Sequence, residues 1–270
     1  MTETIRAENI LTKERIIAGL HALGLREGML VEVHASLSSM GYVLGGARTV
    51  VDAILELIGE EGTILMPVHT GDNSEPSRWI DPPADPSTWQ LIREEMPAYD
   101  PEKSDLRNMS VIAENLIRRE GTVISNHPTL SYAAKGRYAS LLCNRQSMHF
   151  PLAEESPAAR LYELRGSVLL LGTGFDKCTC LHLAEYRTES RPIVIEGASI
   201  RTEDGKKWKK YLDLNLDPEF FPAVEEIMRK KGMISEIMIG SCHAELFSAS
   251  QAVDEATQYL SQTAVFDLYR

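Results

Sequence analysis

Between Met29 and Val68 the chain spells out a strand, a small-residue loop, a helix and a second strand, and no other feature narrows its fold as much. Met29–His34 is short and largely apolar, and the loop Ala35–Gly46 is rich in Ser and Gly. Ala47–Ile58 has a helical pattern closed by Gly59 and Gly62, and Thr63–Val68 is apolar again. A helix inserted between two buried strands is the crossover of a parallel β-α-β unit, since a hairpin would need only a tight turn.

The remaining segments extend this pattern. Ile10–Leu23 reads as an amphipathic helix, with Ile16, Ile17, Leu20 and Leu23 on one face. From His69 to Asp105 prolines interrupt every period, and Trp79 and Trp89 argue that this long loop packs. Ser110–Arg119 and Ser156–Leu164 read as helices, the second with Pro157 in its first turn. Val123–Ser125 and Ser131–Ala134 read as short strands around His127-Pro128. Ile193–Arg201 and Trp208–Leu214 alternate about the turn signal Glu203-Asp204-Gly205-Lys206, which predicts an antiparallel hairpin. Pro222–Lys230, Met233–Ile239 and Ala249–Leu260 predict a helix, a strand and a final helix. The expected class is α/β: a central mixed, mainly parallel sheet flanked by helices, embellished by a hairpin, in a single domain over residues 1–270.

Bulk properties exclude several functions. A net charge of −11 opposes nucleic-acid binding, which needs a basic stripe, and suits a small cationic amine as substrate. No apolar run approaches the roughly 20 residues of a membrane span, and the polar N-terminus does not read as a signal peptide. A cytoplasmic protein with Cys143, Cys178, Cys180 and Cys242 as reduced thiols is the expectation, with a homodimer left open.

Ser167–Arg187, SVLLLGTGFDKCTCLHLAEYR, carries the chemistry. It reads as a strand, a Gly-containing loop and a helix on which Thr179, His182 and Glu185 share a face. Open α/β sheets place their sites just past such strand ends. An imidazole titrates near neutrality and serves as a base, and a carboxylate one turn on fixes its tautomer. Thr179, near the helix start, suits developing negative charge. Two competing readings use neighbouring residues. Cys178, Cys180 and His182 form a zinc-ligand set, or either thiol is a nucleophile beside His182; both make a hydrolase. The spacing is not Cys-x-x-Cys and no fourth ligand stands nearby, so no metal is expected. A non-catalytic ligand-binding protein is the third reading. His127 is either pocket support or a structural turn, and His69 and His243 read as site lining or core.

A second motif, His34-Ala35-Ser36-Leu37-Ser38-Ser39-Met40-Gly41, follows the first strand. Its small residues admit a phosphate to the backbone and its hydroxyls donate, yet it is neither a Walker loop nor a dinucleotide fingerprint. With it stand Met66-Pro67-Val68-His69-Thr70, Asp72 through Trp79, Arg107-Asn108-Met109-Ser110-Val111-Ile112-Ala113-Glu114, His127-Pro128-Thr129-Leu130-Ser131, Ser156-Pro157 with Leu161-Tyr162-Glu163-Leu164, and Leu181-His182-Leu183-Ala184-Glu185-Tyr186-Arg187. In this order, over about Ile10 to Leu260, the chain resembles the aminoglycoside 3-N-acetyltransferase family.

The resemblance implies acetyl-CoA as co-substrate, bound along His34, Ala35, Ser36, Leu37, Ser38, Ser110 and Val111. It implies His182 as catalytic base with Glu185 beside it, Thr179 as donor to the thioester carbonyl, and Asp72 and Glu185 facing the amino sugar. Two places depart from the family pattern. Ser110 stands where many members have Gly, and Phe150–Glu155 is shorter than the Gly-rich stretch expected on the acceptor side. The resemblance therefore admits amine acceptors other than aminoglycosides.

Overall fold

The β-α-β unit forms where the sequence places it. A computed structural model describes residues 10–106 and 109–263; Arg107 and Asn108, part of one family motif, lie outside the described residues. The chain runs β1 (Ile10–Leu11), α1 (Lys13–Leu23), β2 (Leu30–Ala35), β3 (Tyr42–Val43), α2 (Ala47–Ile58) and β4 (Thr63–Pro67). It continues through α3 (Trp89–Glu95), α4 (Val111–Ile117), β5 (Val123–Ile124), β6 (Tyr132–Gly136), α5 (Ala139–Cys143), α6 (Pro157–Glu163) and β7 (Ser167–Leu171). The one-turn helix α7 (Leu183–Tyr186) precedes the hairpin β8 (Ile193–Thr202) and β9 (Gly205–Leu214). The last elements are α8 (Phe221–Lys230), β10 (Ser235–Ile239), β11 (Cys242–Ser248) and α9 (Ala249–Thr263).

Seven strands make one mixed sheet in the order β10-β11-β7-β2-β4-β6-β5. Only its centre is parallel: β2 pairs in parallel with β7 and β4, and the other four pairings are antiparallel. The expected parallel weighting thus holds for the middle three strands. β11 shifts the balance, and no strand was expected at Cys242–Ser248. Side chains alternate between two cores. Val31, Val33, Leu169 and Leu171 pack under α1, α2 and α4, whereas Leu30, Val168 and Leu170 pack toward α6, α8 and α9.

Local chemistry explains the boundaries. Ile10-Leu11 pairs with Tyr42-Val43, so α1 begins later than expected, where the Thr12 hydroxyl accepts from Arg15 N–H. Gly24, in the left-handed region at φ 118°, ends α1. The loop after β4 packs as its tryptophans suggested. Trp79 Nε1 donates to Ser74 Oγ at 2.9 Å and Trp89 Nε1 to Ala84 O at 3.0 Å. Asn73 pins this loop to the hairpin, donating to Ser199 O at 3.0 Å and accepting from Ser199 N–H at 2.7 Å. Among the described residues no helix is long and apolar enough to cross a membrane.

Candidate active site

Strands β2 and β7 run parallel side by side, so their C-terminal ends deliver two loops to one place. The approach is close. A Cβ on Gly172, at φ +64°, would stand 2.5 Å from Ser39 Cβ. Between these loops opens a cavity of about 920 Å³. His34, Ala35, Ser36, Leu37, Ser38, Ser110, Val111, Thr179 and His182 all line it. Candidate residues from segments far apart in the chain thus meet around one cavity.

The serine loop is a hydroxyl network. Ser36 Oγ lies 2.9 Å from Ser39 Oγ and 3.1 Å from Ser38 Oγ. Ser110 caps α4, its Oγ accepting from Ile112 N–H at 3.2 Å, which leaves the hydroxyl proton for another acceptor. Lys177, which carries no motif of its own in the sequence, brings an ammonium to the same wall.

His182 lines the same cavity. Its Nδ1–H donates to Glu185 Oε2 at 2.5 Å, so Nε2 is the nitrogen left to take a proton. Phe221 packs on the ring at a centroid distance of 5.0 Å. Glu185 is fully buried and held from its far side: Arg191 Nε donates to Oε1 at 2.6 Å and Asp217 N–H at 3.0 Å. Arg191 is itself fixed, with Nη1 3.2 Å from Asp217 Oδ2 and Nη2 donating to Asp217 O. Neither Arg191 nor Asp217 carries a sequence signal, because the chain fold and not helical spacing brings them to Glu185.

Three expectations need correction. Thr179, His182 and Glu185 do not share one helical face. Cys178, at ψ 87°, breaks the segment into tight turns before the single turn α7, so Thr179 and His182 face the cavity and Glu185 turns back into the protein. Enclosure with both oxygens occupied keeps Glu185 from touching a substrate directly. Asp72 is exposed and stands off the cavity wall, because the loop turns its neighbour Asn73 inward to the hairpin instead. His243 neither lines the cavity nor enters the core; it is half-exposed on β11, with Nε2 3.0 Å from Glu236 Oε2.

The other candidates resolve by their contacts. His127 Nδ1 accepts from the N–H groups of Thr129 and Leu130, which makes it a turn residue. His69 lines the cavity, and its enclosed Nε2 has no partner among the described residues. Burial, with His182, His34 and His127 nearby, pushes its pKa down to about 3. Cys178 and Cys180 are free, buried, and 3.6 Å apart at sulfur. Burial raises the Cys178 thiol, while its neighbouring sulfur and burial raise Cys180, the reverse of what a nucleophile needs. The carboxylate that clusters with both sulfurs is Glu32, so His182 does not complete a zinc-hydrolase triad with them.

Two acids of the hairpin, neither among the residues lining the cavity, have raised carboxyls. Asp213 on β9 accepts from Tyr186 O–H at 2.5 Å, and burial pushes its carboxyl up to about 6. Burial likewise lifts Glu196 to about 7, against the pull of Arg78 at 2.5 Å.

The model for aminoglycoside 3-N-acetyltransferases matches residues 33–261. The chain belongs to the aminoglycoside 3-N-acetyltransferase family. It is an acyltransferase, and the hydrolase reading falls with that. Its relatives span nearly its whole length. The SPbeta prophage-derived aminoglycoside N(3')-acetyltransferase-like protein YokD of Bacillus subtilis (strain 168) is 40% identical, over 92% of each chain. The crystal structure of YokD superposes with a TM-score of 0.90 at 39% identity, covering 93% of this chain and 94% of that one. Aminoglycoside N(3)-acetyltransferase VII of Streptomyces paromomycinus is 33% identical over 95% of this chain and 94% of its own. A structure of AAC-IIIb as a binary complex with CoASH matches with a TM-score of 0.83 at 26% identity, covering 96% of this chain and 99% of that one.

Proposed function

We propose that this acetyltransferase moves the acetyl group of acetyl-CoA directly onto an amine of an aminoglycoside, the 3-amino group in the family's chemistry, with His182 as general base. One observation carries the reading. The His182 imidazole, its Nδ1 bound to Glu185 at 2.5 Å, lines the same cavity as the serine loop. The family relationship and the CoASH complex of AAC-IIIb support the donor.

The cavity suits such a donor. Ser36, Leu37 and Ser38 offer hydroxyls and small-residue backbone, Ser110 an uncommitted hydroxyl proton, and Lys177 a positive charge for phosphate. His34, Ala35 and Val111 supply the remaining wall.

The residues divide the work. An amine attacks only after losing a proton, and His182 Nε2 takes it, which is worth roughly 10²–10⁴-fold in rate. Glu185 holds the imidazole by Nδ1 and stabilises the imidazolium. It is a positioning residue, and Arg191 in turn positions it. The C–N bond forms as the C–S bond breaks, and the proton on His182 is available to the departing thiolate. Thr179 Oγ1, held by a long 3.4 Å bond to Lys177 O, swings to donate to the carbonyl oxygen. Free thiol released from acetyl-CoA, measured against a panel of aminoglycosides and small amines, tests the reading. Turnover unchanged in His182→Ala would remove it.

A second reading, transfer to a different amine, draws on one observation. Asp72 stands off the wall, and the acids Glu75 and Glu196 are already paired with Arg93 and Arg78 of the same loop. A panel in which small amines outpace every aminoglycoside decides for it.

A further inference from the structure

Glu32 lies in the middle of β2, a central strand, on the face that Leu30 turns toward α6 and α9. It is fully buried, and neither carboxylate oxygen has a hydrogen-bond partner among the described residues. His34 Nε2 stands 3.6 Å from Oε1 and also receives the Thr179 N–H at 3.4 Å. A carboxylate removed from water without firm partners is costly to fold around. What faces Glu32 is not hydrocarbon. One of its oxygens and the sulfurs of Cys178 and Cys180 all lie within 4.8 Å of one another. The Tyr132 hydroxyl, enclosed and also without a partner among the described residues, neighbours the same three groups.

We propose that Glu32, Cys178 and Cys180 form a binding site for one zinc-like divalent cation, structural and separate from the transfer chemistry. The donor set is two sulfurs and one oxygen. Thiolates select zinc over magnesium or calcium, which take oxygen alone. Zinc with sulfur at about 2.3 Å and oxygen at about 2.1 Å places neighbouring tetrahedral ligands roughly 3.5–3.8 Å apart. The two sulfurs stand 3.6 Å apart already. The short Cys-x-Cys spacing supplies two ligands from one turn, and the third arrives from a strand distant in sequence. On binding, each ligand is deprotonated and any proton it held goes to solvent, so two thiolates and one carboxylate leave a net charge of −1 around the dication. A water in the fourth position would meet the Tyr132 hydroxyl.

The placement gives the site a purpose. Thr179 lies between the two cysteines and His182 two residues beyond them, both on the cavity wall. A cation at this point braces the turn that carries them. His182 itself is not a ligand, because its Nδ1 is committed to Glu185.

The test uses the full chain, purified without chelator and with thiols reduced. Elemental analysis should find about one zinc per chain, and replacement by cobalt(II) should produce thiolate-to-cobalt charge-transfer bands in the near ultraviolet. Glu32→Gln and Cys178→Ser should each lower metal content at least about tenfold. Cys242→Ser, which alters a buried thiol elsewhere, should keep it, and so should His182→Ala. Wild-type protein that takes up neither zinc nor cobalt overturns the proposal, and so does Glu32→Gln with full metal content. The cobalt spectrum is read on the wild-type protein, so it can sustain or overturn the proposal even where a variant fails to fold.

Discussion

Glu185 and Glu32 are both sealed from solvent, yet their surroundings are opposite. Glu185, at the cavity, has a partner at every turn: an imidazole before it, a guanidinium and a backbone N–H behind it. Glu32, deeper in the sheet, has two thiols and a phenol around it and no firm hydrogen bond among the described residues. The difference shows two ways of keeping a carboxylate inside a protein. One binds it to fixed donors, which orients the imidazole it touches. The other keeps a place for a cation that comes from outside the chain.

The largest effect tests the first region. His182→Ala should lower kcat by about 10²–10⁴-fold while the affinity for CoA, measured by calorimetry, stays within about threefold. Next comes the support behind it. Arg191→Ala leaves Glu185 buried with one partner fewer and should cost about 3–5 kcal/mol in urea unfolding, with Arg191→Lys recovering part. Glu32→Leu should behave oppositely in the presence of chelator. Replacing a weakly paired buried charge by a hydrophobe is neutral or stabilising by about 1–4 kcal/mol. A loss as large as that of Arg191→Ala in the chelated protein would erase the contrast between the two regions.

The smallest effect is a pH slope. His69, held near 3 against an ordinary 6.5, contributes stability that is complete above pH 6.5 and is lost as the pH falls toward 3. Asp213, raised to about 6 from 3.8, does the reverse: its contribution is complete below pH 3.8 and is lost as the pH rises to 6. Between pH 4 and 6 the two oppose each other. Asp213→Asn should therefore make stability fall more steeply as the pH drops from 6 to 4, and His69→Gln should reverse that slope, both read from denaturant melts at each pH.

What the sequence shows and what it hides follow the same physics. Helix α2 was legible to the residue because its apolar period is bounded by Gly46 and Gly59. Strand β11 was not, since Ser and Ala residues run on into α9 with no turn signal between them. Helix α3 was hidden among prolines. At the site, His182 and Glu185 were legible as a pair three residues apart, although the long helix that suggested them is a set of tight turns. Arg191 and Asp217 were invisible because only the packing of the hairpin base brings them to Glu185. Glu32 was invisible for another reason. In isolation, a carboxylate on a strand reads as an outward side chain, and its burial comes from helices packed over both faces of the central sheet.

The double bond between Asn73 and the backbone of Ser199 has a bearing on how this enzyme changes its clientele. It locks the proline-rich excursion and the long β-ribbon into one unit, flanked in sequence by His69 and Leu216, which both line the cavity. Lineages shifting from one amine to another would have to remodel the two segments in concert, while the serine-lined half, anchored separately on parallel strands, stays as it is.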